Sequence, residues 1–153
     1  MTSSQTIQFH TSSPDETEAF GERLGALLTG GMVIALFGGL GAGKTTLTKG
    51  IARGLGVDDI VHSPTFNLIH EHAGRMSVYH FDVYRLHDSS DMYDLGYDDY
   101  FYGDGVSIIE WPEVIADILP TDRLEIHISS HGDNRTFDMQ AFGTEYAAVL
   151  SQI

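Results

Sequence analysis

A glycine-rich run in the first third of the sequence has the residue pattern of a phosphate-binding loop. Residues 38–45 read GGLGAGKT and satisfy the pattern G-x-x-x-x-G-K-[ST]. The glycines allow the backbone to turn so that its N–H groups point inward, where they can cradle a β-phosphate. Lys44 would then reach the β- and γ-phosphates, and the Thr45 hydroxyl would ligate Mg²⁺. The run therefore predicts a nucleotide site.

The segments on either side of this loop supply the elements that such a loop needs. Residues 32–37 (MVIALF) are continuously apolar, which is typical of a strand buried on both faces. A helix is predicted to begin near Lys44 and to end at Gly56. Its inward face carries Leu47, Ile51 and Leu55. This context separates a phosphate loop from an accidental glycine turn, which is the alternative interpretation.

Two carboxylates follow apolar strands and are candidates for holding Mg²⁺, directly or through water. Glu110 ends the run VSIIE (106–110), and Asp82 ends the predicted strand 76–82. A charged residue at an exposed strand end is the simpler alternative for both. Because each acid precedes an unusual segment, WPE after Glu110 and VYRL after Asp82, we predict that both are functional.

Two further side chains near these segments are less specific. Thr65, in the segment SPTF, would be a switch residue that senses the γ-phosphate or Mg²⁺. Its spacing alone fits an ordinary proline turn better. Trp111 either packs in the core or stacks on a partner, and the sequence alone leaves both interpretations open.

Four histidines invite a metal site: His62, His70, His72 and His80. His70 and His72 would share one face of a strand, because side chains alternate along an extended chain. No third ligand stands at a clear spacing beside them. We therefore predict histidines on a strand surface rather than a metal site.

The rest of the chain predicts a mixed α/β fold. Ser13 is expected to be the N-cap of a helix, with Pro14 in its first turn, Glu16 at the capping-box position and glycines 30 and 31 at its end. Strands are predicted at 6–9, 67–72, 76–82, 106–110, 123–128 and 135–142, helices at 112–119 and 146–153, and a partly helical acidic segment at 88–102. The expected architecture is a P-loop NTPase-like three-layer sandwich, whose mixed, mostly parallel central sheet has antiparallel strands and flanking helices. The 153 residues are expected to form one domain, 1–153.

Composition limits the partners and the compartment. The formal net charge is −14, and the only lysines are Lys44 and Lys49. Such a surface repels nucleic acid, so any RNA in the pathway is expected to be held by another subunit. Solubility or adaptation to salt is the simpler explanation of the acidity. The chain has no cysteine, which excludes disulfides and zinc–thiolate sites and fits a cytoplasmic protein. No signal peptide and no apolar run of about 20 residues are present, so no membrane association is expected.

Read together, these segments resemble the TsaE family, the bacterial P-loop ATPases of tRNA threonylcarbamoyladenosine biosynthesis. The resemblance covers residues 14–142, and the order and spacing of its blocks are more specific than any one block. The matching blocks are GGLGAGKTTLTKG (38–50), HSPTFNLIHEH (62–72), VYHFDVYRL (78–86), LGYDDYF (95–101), IIEWPE (108–113) and LEIHI (124–128).

The resemblance implies a cytoplasmic protein that binds ATP and Mg²⁺ and acts with the TsaD and TsaB proteins. Their assembly forms threonylcarbamoyladenosine in tRNAs that read codons beginning with A. A TsaE-like subunit supplies nucleotide-driven turnover, and its weak ATPase activity is expected to rise with its partners. The tRNA would be met only indirectly, through the complex.

The resemblance also implies roles for individual residues. Thr45 and Glu110 would be the metal-associated residues, and Lys44, Asp82 and Glu110 would act in catalysis with Thr65 in a switch-like loop. Trp111 would lie beside the site. The phosphate site would be built from Gly38, Gly39, Leu40, Gly41, Ala42, Gly43, Lys44, Thr45 and Thr46, and the residues near the adenine would be Asp15, Thr17 and Arg135.

Two other functions are compatible with a phosphate loop. A small-molecule P-loop kinase would neutralise the transferred phosphate with clustered arginines. Here the arginines are scattered singly and no lid-like Arg-x-x-x-Arg run occurs, which disfavours a kinase. A nucleotide-dependent binding module, whose hydrolysis is incidental, overlaps with the TsaE-like interpretation and is harder to separate from it.

Overall fold

The computed structural model describes residues 4–39, 41–58, 61 and 68–153. Within these ranges the chain forms strands and α-helices, and one 3-10 helix spans Pro112–Ile118. The strands are β1 (Ser4–Thr11), β2 (Val33–Phe37), β3 (Ile69–Ala73), β4 (Ser77–Asp82), β5 (Val106–Glu110), β6 (Arg123–His131) and β7 (Asn134–Phe142). The α-helices are α1 (Pro14–Leu27), α2 (Lys44–Gly54), α3 (Ser90–Tyr93), α4 (Tyr97–Phe101) and α5 (Thr144–Leu150).

All of these strands belong to one sheet, in the order β1-β7-β6-β2-β5-β4-β3. β2 runs parallel to β5 and β6, and β4 runs parallel to β5. The pairs β1–β7, β6–β7 and β3–β4 are antiparallel. The carboxyl ends of β2, β4 and β5 therefore meet at one edge, where Leu36 pairs with Glu110 and Glu110 pairs with Asp82. Ligands of open α/β sheets bind outside such an edge.

The first face of the sheet is covered by α1, α2 and α5. Their apolar side chains share a core with alternate residues of the strands, which include Ile34, Leu36, Ile108, Leu124 and Phe137. α1 and α2 approach each other through glycines. A Cβ at Gly25 would lie 2.2 Å from the Ile51 carbonyl oxygen, and one at Gly54 would lie 2.2 Å from the Glu22 carbonyl oxygen. Only glycine permits this backbone-to-backbone distance.

The second face is covered by α3, α4 and the 3-10 helix. Its core contains the strand residues that point the other way, such as Val33, Phe81 and Ile109, with Met92, Phe101, Ile115 and Ile118 from the helices. Because both faces of β2 and β5 are covered, both strands are buried, as predicted for residues 32–37 and 106–110. β2 is continuously apolar, whereas β5 also buries Ser107 and Glu110.

The predicted elements are found, with several differences in extent. β1 is longer than residues 6–9, and β6 and β7 extend until they meet at the turn through Gly132 and Asp133. The acidic segment 88–102 contains two short helices that are separated at Gly96, where φ is 65°. The helix at 112–119 is a 3-10 helix with a kink at Ile115. Of the predicted strand 67–72, Asn67 lies outside the described residues.

The start of α1 follows its predicted capping chemistry in part. The Ser13 hydroxyl accepts a hydrogen bond from the Glu16 N–H at 3.1 Å, as an N-cap does. The Glu16 carboxylate accepts from the Ser12 N–H at 2.8 Å rather than from Ser13, so the reciprocal bond is displaced by one residue. None of the described helices is long and apolar enough to cross a membrane.

Candidate functional site

The glycine-rich loop connects the end of β2 to the start of α2 and is open on its outer side. Gly41 and Gly43 have φ values of 75° and 107°, which side-chain-bearing residues rarely adopt. A Cβ placed at Gly39 or Gly41 would meet no atom within 4 Å. The loop therefore leaves space beside its backbone, at the N-terminal end of α2, where N–H groups and the helix dipole favour an anion. Leu40 lies outside the described residues.

Lys44, the first residue of α2, is held in place by two contacts. Its ammonium nitrogen Nζ donates a hydrogen bond to the Gly38 carbonyl oxygen at 2.6 Å and lies 3.2 Å from the centroid of the Trp111 ring. Only 5% of the residue is exposed. Burial lowers the pKa of Lys44 from its ordinary value, and the carboxylates of Glu110, Glu113 and Asp82 partly oppose that change.

A cleft of about 380 Å³ opens between the loop, the ends of β4 and β5, and the start of β7. It is lined by Gly41, Gly43, Lys44, Thr45, Thr46, Asp82, Glu110, Trp111 and Arg135. The structure thus brings together residues from four separate segments of the sequence. Gly38, Gly39 and Ala42 belong to the same loop without lining the cleft, and Thr65 lies outside the described residues.

The two strand-end acids differ in their surroundings. Glu110 is 3% exposed and its Oε2 is hydrogen-bonded to Nε2 of His80 at 2.5 Å. Asp82 is half-buried and accepts a hydrogen bond from the Tyr84 N–H at 3.1 Å. Burial raises the pKa of Asp82 above its ordinary value, with the nearby Glu110 carboxylate adding to the rise and the Tyr84 N–H opposing it. Both predicted acids therefore face one cleft, beside Lys44.

His80 is the residue of this site that the sequence interpretation missed. We predicted histidines on a strand surface, and this is wrong for His72 and His80, which are buried. The available signal was the alternation along SVYHFD, which places His80 and Asp82 on one face of β4. His62 lies outside the described residues. Among the residues that are described, no group of three or more histidine, aspartate or glutamate side chains could hold a metal ion.

Trp111 has a left-handed backbone conformation, with φ 63° and ψ 45°. This conformation costs a bulky residue of order 1–3 kcal/mol and is found where the surroundings impose it. Here it directs the ring back over the cleft, between Lys44 and Tyr84, whose ring centroid lies 4.6 Å away. Of the two interpretations left open, the structure supports packing, because Trp111 lies on the edge of the second core with its ring beside the cleft. Stacking on a partner stays a prediction.

A smaller cavity of about 50 Å³ adjoins the loop on the side of α1. It is lined by Ser13, Pro14, Thr17, Gly43, Thr46, Asp133 and Arg135. Thr17 is buried, with its hydroxyl 2.7 Å from that of Thr11. Arg135 lies within both cavities, and its side chain donates to the Gly132 carbonyl oxygen at 2.7 Å. Asp15 is exposed in the first turn of α1 and lines neither cavity.

Comparison with known proteins assigns a family. The model of the family described as "Threonylcarbamoyl adenosine biosynthesis protein TsaE" matches residues 11–137. The tRNA threonylcarbamoyladenosine biosynthesis protein TsaE of Bacillus subtilis is 44% identical over 149 residues, which cover 96% of this chain and 93% of that protein. The protein of the same name from Treponema pallidum is 45% identical over 108 residues, covering 71% and 80%.

A solved structure agrees with these sequence matches. The crystal structure of Bacillus subtilis YdiB superposes with a TM-score of 0.85 and 38% sequence identity, covering 98% of this chain and 95% of that one. The mixed sheet with its flanking helices is therefore a known fold, and the cleft lies at the carboxyl edge of that sheet. The chain belongs to the TsaE family of tRNA threonylcarbamoyladenosine biosynthesis proteins.

Proposed function

We propose that this chain binds ATP and Mg²⁺ in the cleft and is the ATPase subunit, acting with TsaD and TsaB, that is required to form threonylcarbamoyladenosine in tRNAs reading codons that begin with A. One observation carries the proposal. In a TsaE-family chain, the lysine and threonine of a phosphate loop share one cleft with two strand-end carboxylates, Asp82 and Glu110. The chain is proposed to work as one domain, 1–153, in the cytoplasm.

The residues present fit a nucleotide phosphate. Gly41 and Gly43 have the backbone conformations that let successive N–H groups converge on an anion. The open space beside Gly39 and Gly41 would admit phosphate oxygens close to the backbone. Lys44 would leave the Gly38 carbonyl or share its protons with the β- and γ-phosphates. Thr46 would complete this phosphate site.

The residues also fit a magnesium ion of the kind that phosphates help to bind. Mg²⁺ is usually held by one or two protein oxygens together with substrate phosphates and water, so a cage of acids is not needed. The Thr45 hydroxyl and the Glu110 carboxylate would hold the ion. The chemistry that it supplies when bound is neutralisation of the charge on the β- and γ-phosphates.

The protein's own groups would then organise hydrolysis. Lys44 would stabilise negative charge on the phosphates from within a largely buried position, where Coulomb interactions are stronger than in water. Asp82 would accept a hydrogen bond from the attacking water and orient it, since a raised pKa makes its carboxylate a better base. Thr65 would sense the γ-phosphate, and Trp111 would keep the Lys44 ammonium in place.

The smaller cavity on the α1 side is proposed to receive the nucleoside end of ATP. Thr17 and Arg135 line it, and Asp15 lies in the same helical turn as its rim. An arginine can stack on a base as well as donate hydrogen bonds. Asp15 would reach the adenine only from the exposed end of α1.

The proposed division of labour follows from charge. A net charge of −14 on 153 residues disfavours direct contact with tRNA, so the RNA would be bound by TsaD and TsaB. The weak intrinsic hydrolysis would rise when those partners bind, and the cycle of binding and hydrolysis would drive turnover of the complex.

A reconstitution with purified components tests the proposal. ATP hydrolysis is measured for this chain alone, with TsaB and TsaD, and for the variant Lys44→Ala. We expect stimulation by the partners and a loss of about 100-fold or more in the variant, because one phosphate-stabilising donor contributes on that order. The matched control is Lys49→Ala, which removes the only other lysine at an exposed position of the same helix.

Two outcomes would overturn the proposal. Unchanged hydrolysis in Lys44→Ala would show that the loop does not carry the activity. Phosphate transferred to a small acceptor in place of water would instead identify a kinase. Formation of threonylcarbamoyladenosine in the same mixture links hydrolysis to the tRNA product.

A further inference from the structure

His80 is buried in the middle of β4, and its side chain is hydrogen-bonded to one residue, Glu110. Its Nε2 lies 2.5 Å from Oε2 of Glu110, and the two side chains are 1% and 3% exposed. A carboxylate can only accept, so Nε2 donates in this bond. The other ring nitrogen, Nδ1, is buried and has no hydrogen-bond partner among the described residues.

A histidine in this position is costly unless the bond to Glu110 matters. An apolar side chain of similar size would fill the same space without burying a polar ring nitrogen that lacks a partner. The neighbouring first-face residues of the same sheet, Val78 on β4 and Ile108 on β5, are apolar. On β3 its cross-strand partner is a second histidine, His70, so His80 differs chemically from its neighbours on β4 and β5 but not from the one on β3.

The register of the sheet explains how the two side chains meet. His80 pairs with Ile108, and Asp82 pairs with Glu110. His80 thus reaches diagonally along β5, by two residues, to the acid at the end of the neighbouring strand. Both residues belong to interior strands of the sheet, paired on both sides, so the donor is carried on a rigid element rather than on a loop.

Lys44 lines the same cleft as Glu110 and could form an ion pair with it, but the two side chains, both among the described residues, are not paired. Lys44 lines the cleft with Glu110 and Asp82, and their charges attract. Within the described part of the chain, however, no ion pair joins Lys44 to either acid: its ammonium contacts the Gly38 carbonyl oxygen and the Trp111 ring. The lysine and the glutamate are each held by a different neighbour.

We infer that His80 is a positioning residue that fixes the Glu110 carboxylate, so that the acid faces the ion and does not turn to neutralise Lys44. The inference rests on the proposed function, because it assigns Glu110 to the metal. Oε2 is committed to His80, and the remaining oxygen is left for Mg²⁺ or its water. Lys44 keeps its charge available for phosphate. Hydrogen-bonded partners of metal-bound carboxylates typically control metal affinity by 10–100-fold.

The test compares metal dependence with nucleotide affinity in the full-length chain. The variant His80→Phe removes the donor and keeps a planar ring, and His80→Gln keeps an N–H near the position of Nε2. Val78→Ala is the matched control for destabilisation, since Val78 is buried on the same face of β4 and pairs with Val106, at the other end of β5 from Glu110. Two quantities are measured by calorimetry and steady-state turnover: the dissociation constant of ATP with Mg²⁺ or with EDTA, and the Mg²⁺ concentration for half-maximal hydrolysis.

We expect His80→Phe to raise the half-maximal Mg²⁺ concentration by about 10-fold or more, while ATP affinity in EDTA changes by less than about 2-fold. His80→Gln should recover part of the loss, and Val78→Ala should show none. A double-mutant cycle with Glu110→Gln should be non-additive: His80→Phe adds little once the carboxylate is gone.

Three results would overturn the inference: a folded His80→Phe with wild-type Mg²⁺ dependence, an equal loss of affinity in Mg²⁺ and in EDTA, or additive effects with Glu110→Gln. The variant Lys44→Ala distinguishes a failure of the inference about His80 from a failure of the proposed function. If Lys44→Ala loses ATP affinity while His80→Phe behaves as wild type, only the role of His80 is refuted. If the wild-type chain binds no ATP, both are refuted.

Discussion

The two faces of the sheet are packed by different means. On the first face, α1 and α2 span 14 and 11 residues and touch through backbone atoms at Gly25 and Gly54. On the second face, α3 and α4 have only four and five residues, and side-chain rings make the contacts. Phe81 meets Tyr100 and Phe101 there in edge-to-face arrangements, with centroids 5.6 and 5.4 Å apart.

This difference means that the second face can repack around a change in side-chain volume, whereas the first face cannot. Backbone contacts have no alternative rotamers, whereas aromatic rings can repack around a change of volume. The cleft is lined by Lys44, which belongs to a helix of the first face, and by Trp111, which precedes the 3-10 helix of the second face. We therefore expect substitutions between α1 and α2 to reduce stability most, and substitutions at Trp111 to affect the cleft more than the fold.

The largest expected effect is that of Gly54→Ala. A Cβ would lie 2.2 Å from the Glu22 carbonyl oxygen, so the helices must separate. The gain in helix propensity, about 1 kcal/mol, is outweighed, and we expect the free energy of unfolding to fall by about 3 kcal/mol. For a chain of this length the melting temperature would drop by roughly 10 °C, measured by calorimetry.

Arg53→Ala, on the same helix, is the control for that variant. The Arg53 side chain is 56% exposed, and its contact with Glu18 is a surface ion pair at 3.5 Å. Its loss should change the free energy of unfolding by less than about 1 kcal/mol. If Gly54→Ala were as stable as Arg53→Ala, the first face would be as adjustable as the second and the contrast would be lost.

A smaller effect, which depends on pH, is expected from Tyr146 in α5. Its hydroxyl oxygen accepts a hydrogen bond from the Val33 N–H at 2.7 Å, and burial raises the pKa of Tyr146 to about 12. Below about pH 10 the phenol is neutral in the folded and unfolded chains, so its contribution is fully present. Between about pH 10 and 12 only the unfolded chain releases the proton, and stability falls by roughly 2 kcal/mol.

Urea unfolding of Tyr146→Phe at pH 8 and pH 11.5 measures this contribution. The variant should be less stable by about 1 kcal/mol at pH 8, because the Val33 N–H loses its acceptor. It should then lose less stability than the wild type on going to pH 11.5. Parallel losses in the two proteins would mean that the Tyr146 phenol does not titrate in this window.

The smallest effect on folding, and a specific effect on the cleft, is expected from Trp111→Leu. The ring lies 3.2 Å from the Lys44 ammonium, and such a contact is worth about 0.5–1 kcal/mol where the ring is partly exposed, as that of Trp111 is. Without it, Lys44 is free to turn towards Glu110 or Asp82. We expect ATP turnover to fall by about 10-fold while the free energy of unfolding changes by less than about 1 kcal/mol. Trp111→Phe keeps an aromatic face, so its ATP turnover should lie between those of the wild type and Trp111→Leu.

Much of the first face follows from the sequence. The apolar run 32–37 and the amphipathic residues of α2 are local patterns, and both elements are found with small differences in extent: β2 begins at Val33, and α2 ends at Gly54 rather than at Gly56. The strand 106–110 has the predicted bounds. Local propensity and burial agree in these segments, which is the condition under which single-sequence reasoning works.

The second face and the long-range pairing are harder to predict. The left-handed conformation of Trp111 contradicts the preference of a bulky residue, so no local rule predicts it. The pairing of β1 with β7, at the opposite end of the chain, depends on tertiary packing. The prediction of a surface position for His80 is wrong, because alternation distinguishes the two faces of a strand without showing that both are covered.

The burial of β5 on both faces has a consequence for how the chain selects its pairing. Sliding β5 by one residue would exchange Ile108 and Ile109 between the two cores with little change in buried apolar area. The same slip would turn Glu110 into the aromatic core of the second face, away from His80. A buried carboxylate that loses its hydrogen bond costs several kcal/mol. Hydrophobic alternation therefore gives little information about the register of this strand, and we infer that the buried Glu110 carboxylate, bonded to His80, favours the observed one.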